Sequence, residues 1–319
     1  MKRFIIPLVL AAMLPASAAE NQPVWAFFAP DPNQPAGAPD STPKQLPGSK
    51  RTYTMAQIDD LKNPPDWFPN EHPPMPNVVA HGAAGNVLAC ASCHLASGMG
   101  HPESASLAGL KQVYLLRQLN DFKSGARKNA IVVNGKPVMN ATQYMVTIAQ
   151  GLSYADAKAA SQWFANLKAQ RGWVKVVEAA MVPKSYVTNG YMRVAVPGGG
   201  TEAIGNRIIE LPQDQKRQEL RDPHSGTIAY VPPGSIARGR AIATGGGRAC
   251  ETCHGTDLTG VADVPSIAGR SPTYIFRQLY SFKTGARAGN ASTPMQAETA
   301  NFSEADMVAL AAYVASLPN

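Results

Sequence analysis

Cys90-Ala91-Ser92-Cys93-His94 recurs 160 residues later as Cys250-Glu251-Thr252-Cys253-His254. C-x-x-C-H is the spacing for covalent attachment of a c-type haem. Two thiols reach the vinyl groups on one edge of the porphyrin and form thioethers. A short helical turn then carries the next residue, a histidine, under the ring to ligate iron from the proximal side. Cys90, Cys93, Cys250 and Cys253 are thus the expected attachment residues, and His94 and His254 the proximal ligands. A bare C-x-x-C also suits zinc or thioredoxin-like redox chemistry. Zinc would want the two pairs close together, whereas these lie far apart, each with its own histidine. The motifs use all four cysteines of the chain, leaving none for a disulfide. Two covalently bound c-type haems are the expected cofactors.

The repeat extends beyond the motifs. Tyr114-Leu-Leu-Arg-Gln-Leu-Asn-Asp-Phe-Lys-Ser-Gly-Ala-Arg127 lies over Tyr274-Ile-Phe-Arg-Gln-Leu-Tyr-Ser-Phe-Lys-Thr-Gly-Ala-Arg287, with nine of 14 positions identical. No gap is needed back to the cysteines. After the arginine the offset falls to 150, so the first copy carries a ten-residue insertion around Asn129 to Thr142. An internal repeat of this length predicts two copies of one domain. In the first copy, Asn77 to His81 reads as a lead-in helix. Leu115, Leu119 and Phe122 recur at helical spacing, with Gly125 as the stop. Residues 153–167 read as a final helix with Ser153 as N-cap and Asp156 in the capping-box position.

The shifted alignment pairs Met145 with Met295, each seven residues before a Leu152-Ser or Phe302-Ser helix start. A thioether is a soft ligand that favours ferrous iron and fills the sixth position. These two methionines are the expected distal ligands. The bland alternative for either is core filling. Met139 in the inserted loop competes with Met145, and Met99 lies too close to His94 to cross the ring. His72 reads as solvated loop, and His81, His101 and His224 as surface or hydrogen-bonded residues. Arg127 and Arg287 recur just after a glycine, where a loop should fold over a haem edge. A planar guanidinium suits propionate carboxylates, against the alternative of solvated arginines. Tyr114, Tyr274, Gln118 and Gln278 recur too, and either face the ring or stabilise the helix.

At 319 residues the chain accommodates two domains. Lys2-Arg3, the apolar run Phe4 to Leu14 and Pro15-Ala-Ser-Ala-Ala19 read as a cleaved secretory signal, 1–19. A run of about 11 residues is short of the roughly 20 that a spanning helix needs. Export agrees with haem attachment, because covalent c-haem attachment in bacteria occurs outside the cytoplasmic membrane. The expected location is periplasmic. The formal charge of +7 falls to +5 without Lys2 and Arg3 (7 minus 2), and two haems bring about four propionate charges. With no basic run or recognisable nucleic-acid fold, nucleic acid is not an expected partner.

Residues 20–76 form an expected Pro-rich arm and lead-in loop. Seven prolines lie between Pro23 and Pro47, and six more between Pro64 and Pro76. Trp25, Phe27 and Phe28 within the arm are expected to dock on the folded body. A short helix is expected within Tyr53 to Leu61, with Thr54 as cap. Residues 172–234 fall outside the repeat. Trp173 to Glu178, Tyr191 to Val196, Arg207 to Leu211 and Thr227 to Val231 are short β-branched or alternating runs, bounded by Gly and Pro. They predict a small β-rich insertion that braces the haem modules, with partner recognition as its sharper alternative.

Together these residues resemble the class I dihaem cytochromes c of bacterial periplasms. The signature is C-x-x-C-H, then Ser-Leu-Ala-Gly109 or Ser-Ile-Ala-Gly269, the Tyr-x-x-Arg-Gln-Leu run, a methionine and a last helix. The resemblance covers about 77–168 and 235–317. It implies a mainly α fold with two tandem helical cytochrome domains (77–171 and 235–319), a β-rich insertion at 172–234 and His/Met haems. Its activity would be single-electron shuttling among redox proteins: a dehydrogenase or quinol-linked donor, a terminal oxidase or another cytochrome. Membrane association through a partner stays open. Two other readings stay beside it: a cytochrome subunit bound to a periplasmic dehydrogenase, or a haem enzyme (a peroxidase or sulfur-compound oxidoreductase) with an open site at the first haem. The sequence departs from the family pattern twice. Pro265 occupies the turn whose carbonyl orients the proximal histidine, but the first copy has Ala105 there. A long loop also precedes Met145.

Overall fold

The computed structural model describes residues 22–31, 40–133, 135–245 and 250–318. The signal segment and residues 32–39 of the arm lie outside them. In chain order the elements are α1 (Met55–Ile58), α2 (Asn77–His81), α3 (Ala91–His94), α4 (Gln112–Ser124), β1 (Val132–Val133), β2 (Lys136–Pro137), α5 (Ala141–Gly151) and α6 (Tyr154–Ala165). There follow β3 (Val174–Glu178), β4 (Met181–Pro183), β5 (Ser185–Val187), β6 (Arg193–Ala195), β7 (Thr201–Ala203), β8 (Ile209–Pro212), α7 (Gln215–Glu219) and β9 (Thr227–Val231). The last set is α8 (Ser235–Thr244), α9 (Glu251–His254), α10 (Pro272–Lys283), α11 (Thr293–Thr299) and α12 (Glu304–Ser316).

Local chemistry sets the helix ends. Thr54 and Gln57 form a capping box on α1, which is a single turn. Ser153 caps α6 through Asp156 N–H, and Ser303 with Asp306 closes the same box on α12. Gly125 ends α4 in the left-handed region at φ 79°, where glycine alone is unstrained. The segment expected as loop before Met145 differs in kind. Val132–Val133 pairs antiparallel with Lys136–Pro137, and Asn140 caps a helix by accepting from Thr142 and Gln143 N–H.

Each repeat builds its own apolar cluster. In the first, Val79, Leu95, Leu115, Ile148, Trp163 and Phe164 are buried together. In the second, α12 is apolar on nearly every side, because α8, α10 and β3 surround it. Gly239 allows this crowding: a Cβ there would sit 1.9 Å from Ala309 O. The second cluster also recruits distant chain. Ile131, Ala130 and Val138 cross from the first copy's insertion to pack on it. Trp25 and Phe27 of the arm do the same, with ring centroids 4.6 Å from Phe276 and 5.8 Å from Tyr280.

Between the repeats, β3 pairs in parallel with β9, and β9 pairs antiparallel with β8. Strand β9 alternates, burying Thr227, Ala229 and Val231, and Val176 and Val231 pack against the second cluster. Two antiparallel pairs, β4–β7 and β5–β6, complete the segment. Glu210, fully buried, accepts from Thr227 Oγ1 and Ser271 Oγ at 2.7 Å each. It thereby joins β8 to the N-cap of α10.

Candidate haem-attachment sites

The two C-x-x-C-H stretches fold into matching one-turn helices, α3 and α9. His94 Nδ1 donates to Ala105 O at 2.8 Å, and His254 Nδ1 donates to Pro265 O at 2.9 Å. A carbonyl at Nδ1 fixes the tautomer and leaves Nε2 unprotonated, the state in which imidazole binds iron. The change from proline to Ala105 therefore keeps the orienting bond, since the contact is made by the backbone. Burial pushes His94 down to about 4 and His254 down from the usual imidazole range, so both rings are neutral at neutral pH. None of the four cysteines is paired in a disulfide, and burial pushes the Cys90 thiol up to about 12. Paired cysteines one helical turn apart, followed by a neutral imidazole, are the donor set that a c-type haem requires.

Met145, half-buried on α5, shares a helix face with the buried Ile148 and Ala149. Met295, half-buried on α11, packs against the same cluster as Cys250. Met139 is 47% exposed at the hairpin end, and Met99 is buried with Sδ accepting from Gln170 N–H at 3.2 Å.

Arg127 and Arg287 meet across the seam between the repeats. Their backbones form an antiparallel bridge. Arg127 donates to Gln118 Oε1 at 2.9 Å and Gln278 Oε1 at 2.7 Å; Arg287 donates to Gln278 at 3.0 Å, Gln118 at 2.8 Å and Tyr114 Oη at 3.0 Å. Each guanidinium stacks on its own repeat's phenylalanine, Phe122 or Phe282, at 4.4 Å. Burial and the neighbouring Arg287 charge push Arg127 below the usual arginine range. The seam has two outer clasps that sequence reading missed. Arg117 pairs with Asp263 at 2.5 Å, while Arg277, at the matching position, donates to the carbonyls of Pro102 and Glu103. The offset of 160 relates Arg117 to Arg277, so the arginines were legible in the alignment, whereas the carbonyl acceptors of Arg277 were not.

One histidine needs correcting. His72 is not solvated: its side chain is 7% exposed, bonded to Asp66 Oδ1 at 3.2 Å. His81 pairs with Asn63, His224 with Glu71, and His101 with Glu103.

The family profile described as cytochrome c matches residues 79–168 and 236–318. A protein of Thiomonas intermedia (strain K12) named thiosulfate dehydrogenase electron acceptor is 27% identical over 232 residues, covering 72% of this chain and 78% of that protein. Cytochrome c4 of Stutzerimonas stutzeri is 23% identical over 247 residues, 75% of this chain and 89% of that one. Among solved structures, thiosulfate dehydrogenase of Marichromatium purpuratum superposes with a TM-score of 0.47 at 25% identity, covering 74% of this chain and 38% of that longer one.

Proposed function

The chain belongs to the cytochrome c family, and from that premise we propose a dihaem electron carrier of the bacterial periplasm. It takes single electrons from a dehydrogenase or quinol-linked donor and passes them to an acceptor such as a terminal oxidase or another cytochrome. The observation that carries this reading is the duplicated turn: two thiol pairs, each followed by a histidine whose Nδ1 is tied to a loop carbonyl. When bound, the haems supply reversible one-electron iron chemistry.

The chain's residues do the rest. Cys90 with Cys93, and Cys250 with Cys253, hold the rings. His94 and His254 ligate from the proximal side, and Met145 and Met295 supply soft distal sulfur that favours the ferrous state. Arg127 and Arg287 serve the propionates at the seam. Their support is the buried Nε–H of Arg287, which has no acceptor among the described residues and suits a carboxylate oxygen. We take 77–171 and 235–319 as the two haem modules and 172–234 as an insertion bracing them, a division supported by the separate apolar clusters. The carrier does no substrate chemistry of its own. Relatives named as electron acceptors of a thiosulfate dehydrogenase support a protein redox donor.

Covalent haem count and a reductive titration of the purified holoprotein test this. We expect two haems per chain, each taking up one electron. A single haem, or thiols that remain titratable in the exported protein, would refute it.

A further inference from the structure

The 172–234 segment reaches the first attachment turn through Arg221. Arg221 follows α7 with φ 54°, the left-handed region that a non-glycine residue occupies only when its surroundings hold it there. What holds it is its guanidinium. Nε donates to Ile58 O at 2.9 Å, and Nη1 donates to the carbonyl of Ser92, which is fully buried between Cys90 and Cys93. The neighbouring acid does not cancel this charge. Asp222 is committed to the Arg217 side chain and to His224 N–H.

The second turn is built differently. Thr252 takes the place of Ser92, and among the described residues no guanidinium donates to its carbonyl. The first turn thus carries a fixed cation on its backbone carbonyl. The segment also touches the distal side of the first repeat. Tyr191, again left-handed at φ 62°, stacks edge-on at 5.5 Å against Tyr144, the residue before Met145.

We propose that Arg221 tunes the first haem: its fixed charge on the Ser92 carbonyl favours the ferrous state there and raises that haem's reduction potential. The physical reason is that reduction removes one positive charge from the iron site, so a nearby cation stabilises the reduced form. The inference rests on the dihaem reading. The β-rich segment then has a redox role at the first module.

The test is a redox titration of wild-type, Arg221→Met, Arg221→Gln and Arg221→Lys holoproteins, with covalent haem counted in each. Met295→His marks the wave of the second haem. We expect both neutral variants to weaken the first haem's hold on its electron about tenfold, about 59 mV for a one-electron couple, leaving the second wave in place. Lysine should restore most of the loss. Arg221→Gln, which keeps a donor to Ser92 O, reads the same quantity if Arg221→Met does not accumulate. Unmoved waves, an equal shift of both waves, or a lysine variant as low as methionine would overturn the proposal. Fewer than two haems in the wild type would instead overturn the dihaem reading itself.

Discussion

Arg127 and Arg287 lie 160 residues apart in sequence, yet bridge backbone to backbone, each donating to the glutamines of both repeats. Two buried cations side by side are unfavourable by Coulomb's law. The amide and phenol oxygens around them, and the phenylalanine rings beneath, offset that cost within the polypeptide. A propionate at the orphaned Arg287 Nε would lower it further. The seam is therefore held by side chains of both repeats.

Replacing Arg287 with methionine strips donors from Tyr114, Gln118 and Gln278 together. Charged hydrogen bonds of this kind contribute about 1.5–3 kcal/mol each, less the relief of repulsion with Arg127. We expect urea unfolding of the holoprotein to show a loss of about 2–3 kcal/mol. Arg117→Ala, which removes an exposed clasp, should cost about 0–1 kcal/mol.

The arm contributes to the second core. Phe27 is 3% exposed, and Arg277 Nη1 donates to Ala26 O at 3.0 Å. Phe27→Ala should cost about 3–5 kcal/mol, as for a large aromatic removed from a packed core. Amide exchange should quicken on α10 and α12 while α4 keeps its protection. Equal quickening on all three would argue against an arm specific to the second module.

The loop at 64–76 carries a pH dependence. Asp66 bonding raises His72 above its usual 6.5, with burial opposing. A raised folded value means the protonated pair stabilises fully below about pH 6.5 and is lost as pH climbs through the folded value. The thermal midpoint difference between wild type and Asp66→Asn should therefore shrink on the alkaline side. A difference that stays constant from pH 5.5 to about 8.5 would contradict the pairing.

The methionines separate by placement. Met145→Ala and Met295→Ala should each remove one equivalent of the far-red sulfur-to-iron absorption, while the exposed Met139→Ala should leave it intact. Loss of the band in Met139→Ala would move the first ligand into the hairpin.

Much of this architecture was legible because it is local or repeated. The attachment turns, the caps at Thr54 and Ser153, and the helix stop at Gly125 follow from short-range chemistry, whereas Asn140 caps a helix inside a stretch that scans as loop. The runs at Thr227 to Val231 and Trp173 to Glu178 announced strands by their β-branched content. Their parallel pairing across about 50 residues has no local signal, since register is set by the faces buried on α12. Likewise Ile131 sits in a segment that scans as loop, and only the fold reveals that it fills the other repeat's core. Periodicity reports that a residue will be buried, not against which partner. Arg221 is the sharpest case. Nothing in its neighbourhood marks it, and its meaning comes from Ser92, 129 residues earlier in the chain.

The ferric optical spectrum of the purified holoprotein, with the far-red methionine-to-iron band counted per haem before and after peroxide, tests the central claim most directly. Two equivalents that peroxide leaves unchanged are the expected result, with both irons closed by sulfur and given over to electron transfer. One equivalent or none, with rapid peroxide reaction at the other haem, would contradict the carrier and point to catalysis at the first module.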